Sequence, residues 1–267
     1  MKISISNLAF KNHSLLETIK ILEHSPIRGI EVAPTLIWDK PLCVTKKERK
    51  DIRRIVKDHG LSIVGLQSLL YNQQDLQLFG SSHCRNDCKD YLKQLIDLCA
   101  DIGGTILAFG SGNNRKTFNC QIADAFSIAA SFFQDLALYA EGAGILICIE
   151  PLSSKYGCDF INTADEGAHL VKLVNNPSFR LLLDTGSMLL NGESAEDMIV
   201  KYSEIIAHMH INDPNLLPPS RMLADHSNIA EKLKNISYQE WLTIEVMKEY
   251  SLIENDLIYA LECYSEN

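Results

Sequence analysis

The sequence predicts an α/β protein that folds as a single (β/α)8 barrel over residues 1–267. Short runs rich in β-branched residues alternate with longer segments of helical periodicity along the whole chain. No linker rich in Pro, Gly or Ser divides it. Eight strand–helix units in about 260 residues are typical of a one-domain barrel. An open, doubly wound sheet is the main alternative, but no G-x-G-x-x-G motif follows the first predicted strand.

The individual elements follow from the spacing of apolar residues. Short apolar runs predict eight strands, at 3–6, 29–33, 62–66, 105–109, 145–150, 180–184, 206–211 and 242–246. Apolar residues recur at helical spacing in the segments 13–24, 46–60, 88–103, 121–144, 163–176, 194–203, 228–235 and 251–264. Gly60, Gly103 and Gly144 stand where three of the helices should end, because a left-handed cap favours glycine.

Composition and charge exclude several classes of protein. The apolar runs are too short to span a membrane, and the N-terminal MKISISNLAF lacks the features of a signal peptide. The eight cysteines form no C-x-x-C pair, which favours free thiols in a reducing cytoplasm. The net charge is −9, and the basic run at 46–57 is interspersed with acids. We therefore expect a cytoplasmic protein with no nucleic-acid or membrane partner; the sequence leaves a homo-oligomer open.

Four consecutive predicted strands end in a residue that can bind a metal ion. These residues are Glu150, Asp184, His210 and Glu245, and they are separated by 34, 26 and 35 residues. Each has an ordinary explanation when taken singly, such as a turn aspartate or a core histidine. Together they would meet at the C-terminal end of the barrel, where the active sites of such barrels lie.

A shared cation explains this set of residues. Three carboxylates at one barrel mouth repel each other unless they are protonated or bridged by a positive charge. Three oxygen ligands and one imidazole suit a carboxylate-rich site that is open to water, which favours Mn²⁺; Mg²⁺, Co²⁺ and Zn²⁺ are alternatives. The sequence thus predicts that Glu150, Asp184, His210 and Glu245 hold one divalent ion.

The motifs around these residues resemble a known family. They are IEPL at 149–152 with DFINT at 159–163, LLLDTG at 181–186, HMHIND at 208–213 and YQEWLTIEVM at 238–247. The chain resembles the xylose isomerase-like TIM-barrel superfamily, and within it the sugar phosphate isomerase/epimerase group related to the ketose 3-epimerases. The resemblance implies that the four residues bind one metal ion. It also implies that Glu150 and Glu245 are the catalytic acid/base pair, and that the metal ion stabilises an enediolate.

The residues expected to contact substrate depart from that group. Ser187, Leu216 and Tyr156 stand where the ketose 3-epimerases have a histidine, an arginine and a glutamate, so the resemblance does not carry over their substrate. The trinuclear-zinc endonucleases of the superfamily fit less well, because Ser187 and the strand end Phe109-Gly110 replace histidines that they need. Our candidates for substrate binding are Gln67, Arg115, Tyr156, Ser187 and Arg221. Arg221 lies in a proline-rich segment, 212–226, that could form a lid.

The function expected from these observations is a metal-dependent isomerase or epimerase acting on a sugar or sugar phosphate. It would transfer a proton next to a carbonyl through an enediolate. Two alternatives stay open: a metal-dependent dehydratase or lyase of the same superfamily, and a non-catalytic sugar-binding barrel. The sequence does not identify the sugar, its phosphorylation or the reacting carbon.

Overall fold

The computed structural model describes residues 1–250 and 254–265. Eight parallel strands close into one barrel in chain order, with β8 hydrogen-bonded to β1. The strands are β1 Lys2–Ser6, β2 Gly29–Val32, β3 Ser62–Leu66, β4 Ile106–Phe109, β5 Leu146–Ile149, β6 Phe179–Asp184, β7 Ile206–Ile211 and β8 Trp241–Ile244. The predicted (β/α)8 fold is therefore confirmed.

Helices surround the barrel. Within the described residues they are α1 Leu15–Leu22, α2 Lys46–Asp58, α3 Ser82–Ile102, α4 Ile122–Ala143, α5 Ala164–Val174, α6 Thr185–Asn191, α7 Ala195–Lys201, α8 His226–Asn235 and α9 Glu254–Tyr264. None of the helices in the described part of the chain is both long and apolar enough to cross a membrane. The predicted start of the last helix, at 251–253, falls outside the described residues.

Two helices differ from the sequence prediction. Helix α3 begins six residues before the predicted start at Cys88, because the side chain of Ser81 accepts a hydrogen bond from the amide of Cys84 and caps the added turns. Helix α6 was not predicted, and Asp184 caps it directly at the end of β6. Gly103 and Gly144 end α3 and α4 in the left-handed conformation, as expected.

The interior of the barrel is apolar on one side. The buried cluster there is contributed by β3 to β7 and consists of Val64, Ile106, Ala108, Cys148, Leu182 and Ala207. Since side chains alternate along a strand, Cys148 and Leu182 lie on the same face as Glu150 and Asp184 and one layer deeper. The floor beneath these two carboxylates therefore offers no charged partner.

Strand pairing places the polar strand ends beside one another. Asp184 of β6 lies in register with His210 of β7. Glu150 and Glu245 lie one residue beyond the assigned ends of β5 and β8, yet their amides still donate to the carbonyls of Phe109 and Ile211 on the neighbouring strands. The ladder thus continues far enough to fix both glutamates.

A pair of glycines tests the packing of the barrel. A Cβ at Gly65 on β3 would collide with the backbone carbonyl of Ile106 on β4, whereas a Cβ at Gly142 in α4 would meet nothing within 4 Å. We expect Gly65→Ala to lower the free energy of unfolding by about 1–3 kcal/mol. Gly142→Ala should raise it by about 0.5–1 kcal/mol, because alanine favours the helix. Urea denaturation measures both, and a Gly65→Ala protein as stable as the wild type would contradict the β3–β4 register.

Candidate active site

The four predicted metal ligands converge at the C-terminal mouth of the barrel. One potential ligand atom from each of Glu150, Asp184, His210 and Glu245 lies within 4.8 Å of the others. All four residues are buried. The local sequence achieves this because each residue lies within one residue of the end of a strand, and parallel strands of a barrel end on the same rim.

His210 faces the three carboxylates with one ring nitrogen. Its Nδ1 lies 3.0 Å from Oε2 of Glu245 and 3.4 Å from Oε1 of Glu150. Nδ1 is buried, and apart from these two contacts it has no hydrogen-bond partner among the described residues. On the other side of the ring, Nε2 lies 3.0 Å from Oε2 of Glu31. A proton on Nε2 donated to Glu31 leaves a lone pair on Nδ1 pointing into the site.

Asp184 is fixed by neighbours in α6 and directly after β7. Its Oδ1 accepts from the amide of Ser187 at 2.6 Å, and its Oδ2 accepts from the side-chain amide of Asn212 at 2.6 Å. The side chain of Asn212 also accepts from the amide of Gly186 at 2.9 Å. Gly186 is needed for this approach, because a Cβ there would collide with Asn212.

Glycine also makes room for Glu150. Gly110 follows β4, and a Cβ at this position would collide with the carboxylate of Glu150. A side chain at position 110 would therefore displace a residue of the site.

Burial and the charges of neighbouring groups shift the pKa values of the site. Burial raises the pKa of Asp184 to about 7, and the charges of Glu150 and Glu245 add to the effect. Burial likewise raises the pKa of Glu245, although His210 opposes this. For His210, burial disfavours the charged ring, but Glu245 and Glu31 outweigh it and raise the pKa well above 6.5. The unligated site therefore retains protons to offset its negative charge.

This arrangement fits a divalent cation. Three carboxylates and an unpartnered imidazole nitrogen point at one buried position, and a cation there would satisfy Nδ1 and offset the repulsion. Carboxylate and imidazole donors suit Mn²⁺, Mg²⁺, Co²⁺ or Zn²⁺.

A second polar layer lies beneath His210 inside the barrel. Glu31 is fully buried, with Oε1 at 3.3 Å from Nε2 of His208. His208 also contacts the hydroxyl of Thr243 at 3.2 Å, and Thr243 contacts that of Ser4 at 2.7 Å. Burial opposes the charge of Glu31, but His208 and His210 outweigh it and lower the pKa of this carboxyl. The sequence signal for this layer was the spacing of two residues between His208 and His210.

A pocket of about 230 Å³, the mouth pocket, opens over these groups. Its lining includes Glu150, Asp184 and Glu245 together with two of the predicted substrate-binding residues, Gln67 and Tyr156. The hydroxyl of Tyr156 accepts from the amide of Asn215 at 2.9 Å, which joins the loops that follow β5 and β7. Leu216 lines the same pocket.

The other three predicted substrate-binding residues lie away from the mouth pocket. Arg115 is fully buried, and its guanidinium donates to the carbonyls of Phe109, Glu150 and Ile161 and to Sγ of Cys158. The structure gives it a supporting role, in which it holds the main chain at Glu150.

Ser187 and Arg221 are engaged elsewhere as well. The Ser187 hydroxyl donates to the carbonyl of Pro151 at 3.1 Å and accepts from the amide of Ser153 at 2.7 Å. Arg221 is exposed, pairs with Glu262 at 3.1 Å and lies over the ring of Tyr259. Neither residue is among the described residues that line the mouth pocket.

Fold and site together define a (β/α)8 barrel with a carboxylate–histidine cluster at its catalytic end. Residues 20–263 match the family described as xylose isomerase-like TIM barrel. Because the match covers most of the chain, this protein belongs to that family.

The individual proteins to which this chain is similar share less than a third of its residues in the matched part. A D-psicose 3-epimerase of Ruminiclostridium cellulolyticum is 27% identical over 157 residues, which are 58% of this chain and 53% of that protein. The matched part thus spans about half the length of this curated relative.

Two solved structures share the fold. One is D-psicose 3-epimerase with D-tagatose from Clostridium cellulolyticum H10, with a TM-score of 0.84, 17% identity and 99% coverage of both chains. The other is 3-keto-D-glucoside 4-epimerase from E. coli, with a TM-score of 0.82, 16% identity and coverage of 98% of this chain and 100% of that one.

Without a bound cation, the protein should lose stability as the pH rises. The pKa of Asp184 is about 7 in the folded state against an ordinary 3.8, so folding favours its protonated form. This contribution is complete below about pH 4 and is lost as the pH rises to about 7. The raised pKa values of Glu245 and His210 act in the same direction. We expect a higher melting temperature in EDTA at pH 5 than at pH 8, with Mn²⁺ raising it most at pH 8.

Glu245→Gln is the matched variant for this measurement. It removes one of the three crowded carboxylates, so its melting temperature in EDTA should depend less on pH than that of the wild type. The same pH dependence in both proteins would show that repulsion at the mouth does not limit stability.

Glu31→Gln tests how His210 is held. Glutamine keeps the shape of the side chain but can donate to Nε2, which would move the ring proton to Nδ1 and block it as a ligand. We expect Mn²⁺ affinity to fall roughly 10–100-fold in isothermal titration calorimetry. The control is Glu193→Gln, a glutamate that accepts from the amide of Ala164 outside the mouth pocket. Equal Mn²⁺ affinities in both variants would contradict the role of Glu31.

Proposed function

We propose that this protein is a divalent-metal-dependent epimerase that moves a proton at the carbon next to a ketone in a sugar. The observation that carries the proposal is the pair Glu150 and Glu245. Both carboxylates line the mouth pocket, and both lie within 3.4 Å of Nδ1 of His210. Two bases that share one pocket can remove a proton from one face of a carbon and return one to the other.

The relatives support this reaction class. The curated relative is named as a 3-epimerase of psicose, a sugar whose ketone is at C2. One structural neighbour is named as a 4-epimerase of a 3-keto-glucoside. In both names the inverted carbon is adjacent to the ketone, although the sugars differ. The feature in common is proton transfer next to a carbonyl, and this is the part of the function that we extend to the present chain.

Each residue of the site has a role in this proposal. Glu150, Asp184, His210 and Glu245 would hold the cation, which when bound supplies positive charge to the oxygen on which negative charge develops. Glu150 and Glu245 exchange the proton with the carbon. Asp184 is kept in place by Ser187 and Asn212, and Glu31 keeps the proton of His210 on Nε2. Tyr156 and Leu216 cover the reacting carbon against water.

The charges of the mouth pocket favour an unphosphorylated sugar. Among the described residues that line it, the charged side chains are Glu150, Asp184 and Glu245, all acidic. Arg115 and Arg221 are engaged elsewhere and do not line it. A phosphate would therefore meet negative charge without a cationic side chain to receive it.

We further propose Mn²⁺ as the ion, because a site of three carboxylates and one imidazole combines hard oxygen donors with a single nitrogen. A dehydratase or lyase could use the same residues to expel a hydroxyl group, and a sugar-binding barrel would need no proton carriers. Product analysis separates these alternatives, since an epimerase returns a stereoisomer of its substrate, a dehydratase or lyase returns a smaller product, and a binding protein leaves the sugar unchanged.

Replacing the proton carriers tests the mechanism. Glu150→Gln and Glu245→Gln keep one oxygen for a metal ion but lose the basic carboxylate. We expect epimerisation of ketoses to fall by about 10²–10⁴-fold in each variant at equal metal occupancy. Turnover in deuterated water should place deuterium at the inverted carbon, which mass spectrometry detects.

Asp184→Asn is the comparison for these variants. Because Asp184 acts only as a ligand in this proposal, excess Mn²⁺ should recover part of its lost activity, whereas the glutamate variants should stay about 10²–10⁴-fold slower even when fully loaded with metal. A fully metal-loaded Glu245→Gln enzyme with near-normal turnover would remove Glu245 from the chemistry.

A further inference from the structure

A second cavity adjoins the mouth pocket and shares two lining residues with it. It has a volume of about 460 Å³ and is lined by residues of two loops, Ser68 to Gln77 after β3 and Ser111 to Asn114 after β4. We call it the amide pocket. Ser68 and Ser111 line both cavities, so a group in the amide pocket can be joined to a sugar in the mouth pocket.

The walls of the amide pocket present unused amide groups. The side chains of Asn72, Gln73, Gln74 and Asn113 line the pocket, and their amides form no hydrogen bond among the described residues. Gln77 donates from Nε2 to the carbonyl of Gln74 at 2.8 Å, which leaves its buried Oε1 without a partner. A buried acceptor without a partner is unfavourable unless a ligand or water donates to it.

The two loops are held in shape before any ligand binds. The side chain of Asn114 donates to the carbonyls of Gln73 at 2.7 Å and Leu76 at 2.8 Å, and its own carbonyl accepts from the amide of Leu78 at 2.8 Å. Ser68 and Ser111, at the junction with the mouth pocket, have φ angles of 51° and 42°. Non-glycine residues rarely adopt this conformation, and such residues occur often at binding sites.

The chemistry of the lining defines the ligand. Amide groups both donate and accept, as sugar hydroxyl groups do. None of the described residues that line the amide pocket carries a charge, so neither a phosphate nor an ammonium group finds an opposite charge. Tyr71 lines the pocket with 60% of its surface exposed, and an aromatic face can pack on a sugar ring.

We propose that the amide pocket binds a second, uncharged sugar unit linked to the sugar that reacts in the mouth pocket. The substrate class is then a keto-sugar glycoside or disaccharide, in preference to a free monosaccharide or a sugar phosphate. This inference rests on the proposed epimerase function, but the two can fail separately.

Competing substrates test the proposal. The Mn²⁺-loaded enzyme is assayed with D-fructose, with fructose 6-phosphate, and with isomaltulose and lactulose, which carry a hexosyl group on O6 and O4 of fructose. We expect kcat/KM to be at least roughly tenfold higher for one of the disaccharides than for fructose, since each added hydrogen bond contributes a factor of a few. Fructose 6-phosphate should be the poorest substrate. Isothermal titration calorimetry of the same four compounds measures binding independently of turnover.

Variants locate the effect. Asn113→Ala removes an exposed amide, and Gln77→Met keeps the length of the side chain without its unpartnered oxygen. Each should lower the disaccharide-to-fructose ratio of kcat/KM, and the double variant should lower it roughly tenfold. The control is Gln239→Ala, an exposed amide just before β8 at the opposite end of the barrel, which should leave the ratio unchanged.

The outcomes separate the two proposals. Turnover of fructose with no preference for either disaccharide overturns the amide pocket as a subsite and leaves the epimerase function standing. Disaccharide binding that weakens in the double variant, without turnover of any compound, keeps the subsite and overturns the epimerase function. Loss of the preference in Gln239→Ala as well would show that the effect does not arise in the amide pocket.

Discussion

Repulsion among three buried carboxylates is the constraint on which the mouth of this barrel depends. Glu150, Asp184 and Glu245 bring ligand atoms within 4.8 Å of one another beside His210. At an effective dielectric constant of about 20, each pair of full charges at such a distance costs roughly 3 kcal/mol or more. The surrounding residues act against that cost. Ser187 and Asn212 donate hydrogen bonds to Asp184, and Arg115 fixes the main chain at Glu150.

Much of this arrangement could be predicted from the sequence, because barrel topology converts sequence order into position. Potential ligands at the ends of four successive strands lie close together on one rim, because the parallel strands form a closed barrel. The register that sets Asp184 beside His210 then follows from the strand ends themselves. The assigned ends of β5 and β8 fall one residue short of Glu150 and Glu245, but the continued hydrogen bonding to Phe109 and Ile211 preserves the geometry.

The substrate shell was harder to predict because its partners are distant in sequence. In the sequence, Arg115 looks like a free cation in a glycine-containing loop. In the structure, its guanidinium donates hydrogen bonds to the carbonyls of Glu150 and Ile161, 35 and 46 residues away. The Ser187 hydroxyl likewise donates to the carbonyl of Pro151 and accepts from the amide of Ser153. Local pattern shows which side chain is polar; it does not show which main-chain groups the fold will bring to it.

The barrel interior beneath the site is apolar on one side and polar on the other, and this determines which way the polar groups of the site face. Beneath Glu150 and Asp184 the floor is apolar, with Cys148 and Leu182 one layer deeper, so these carboxylates have no charged partner below them. Beneath His210 the floor is polar, and Glu31 occupies the Nε2 side of the ring. Nδ1 of His210 and the three carboxylates therefore face the mouth, where a cation and a sugar can enter. The loops that follow the strands of such a barrel can therefore change the ligand without disturbing the charged centre.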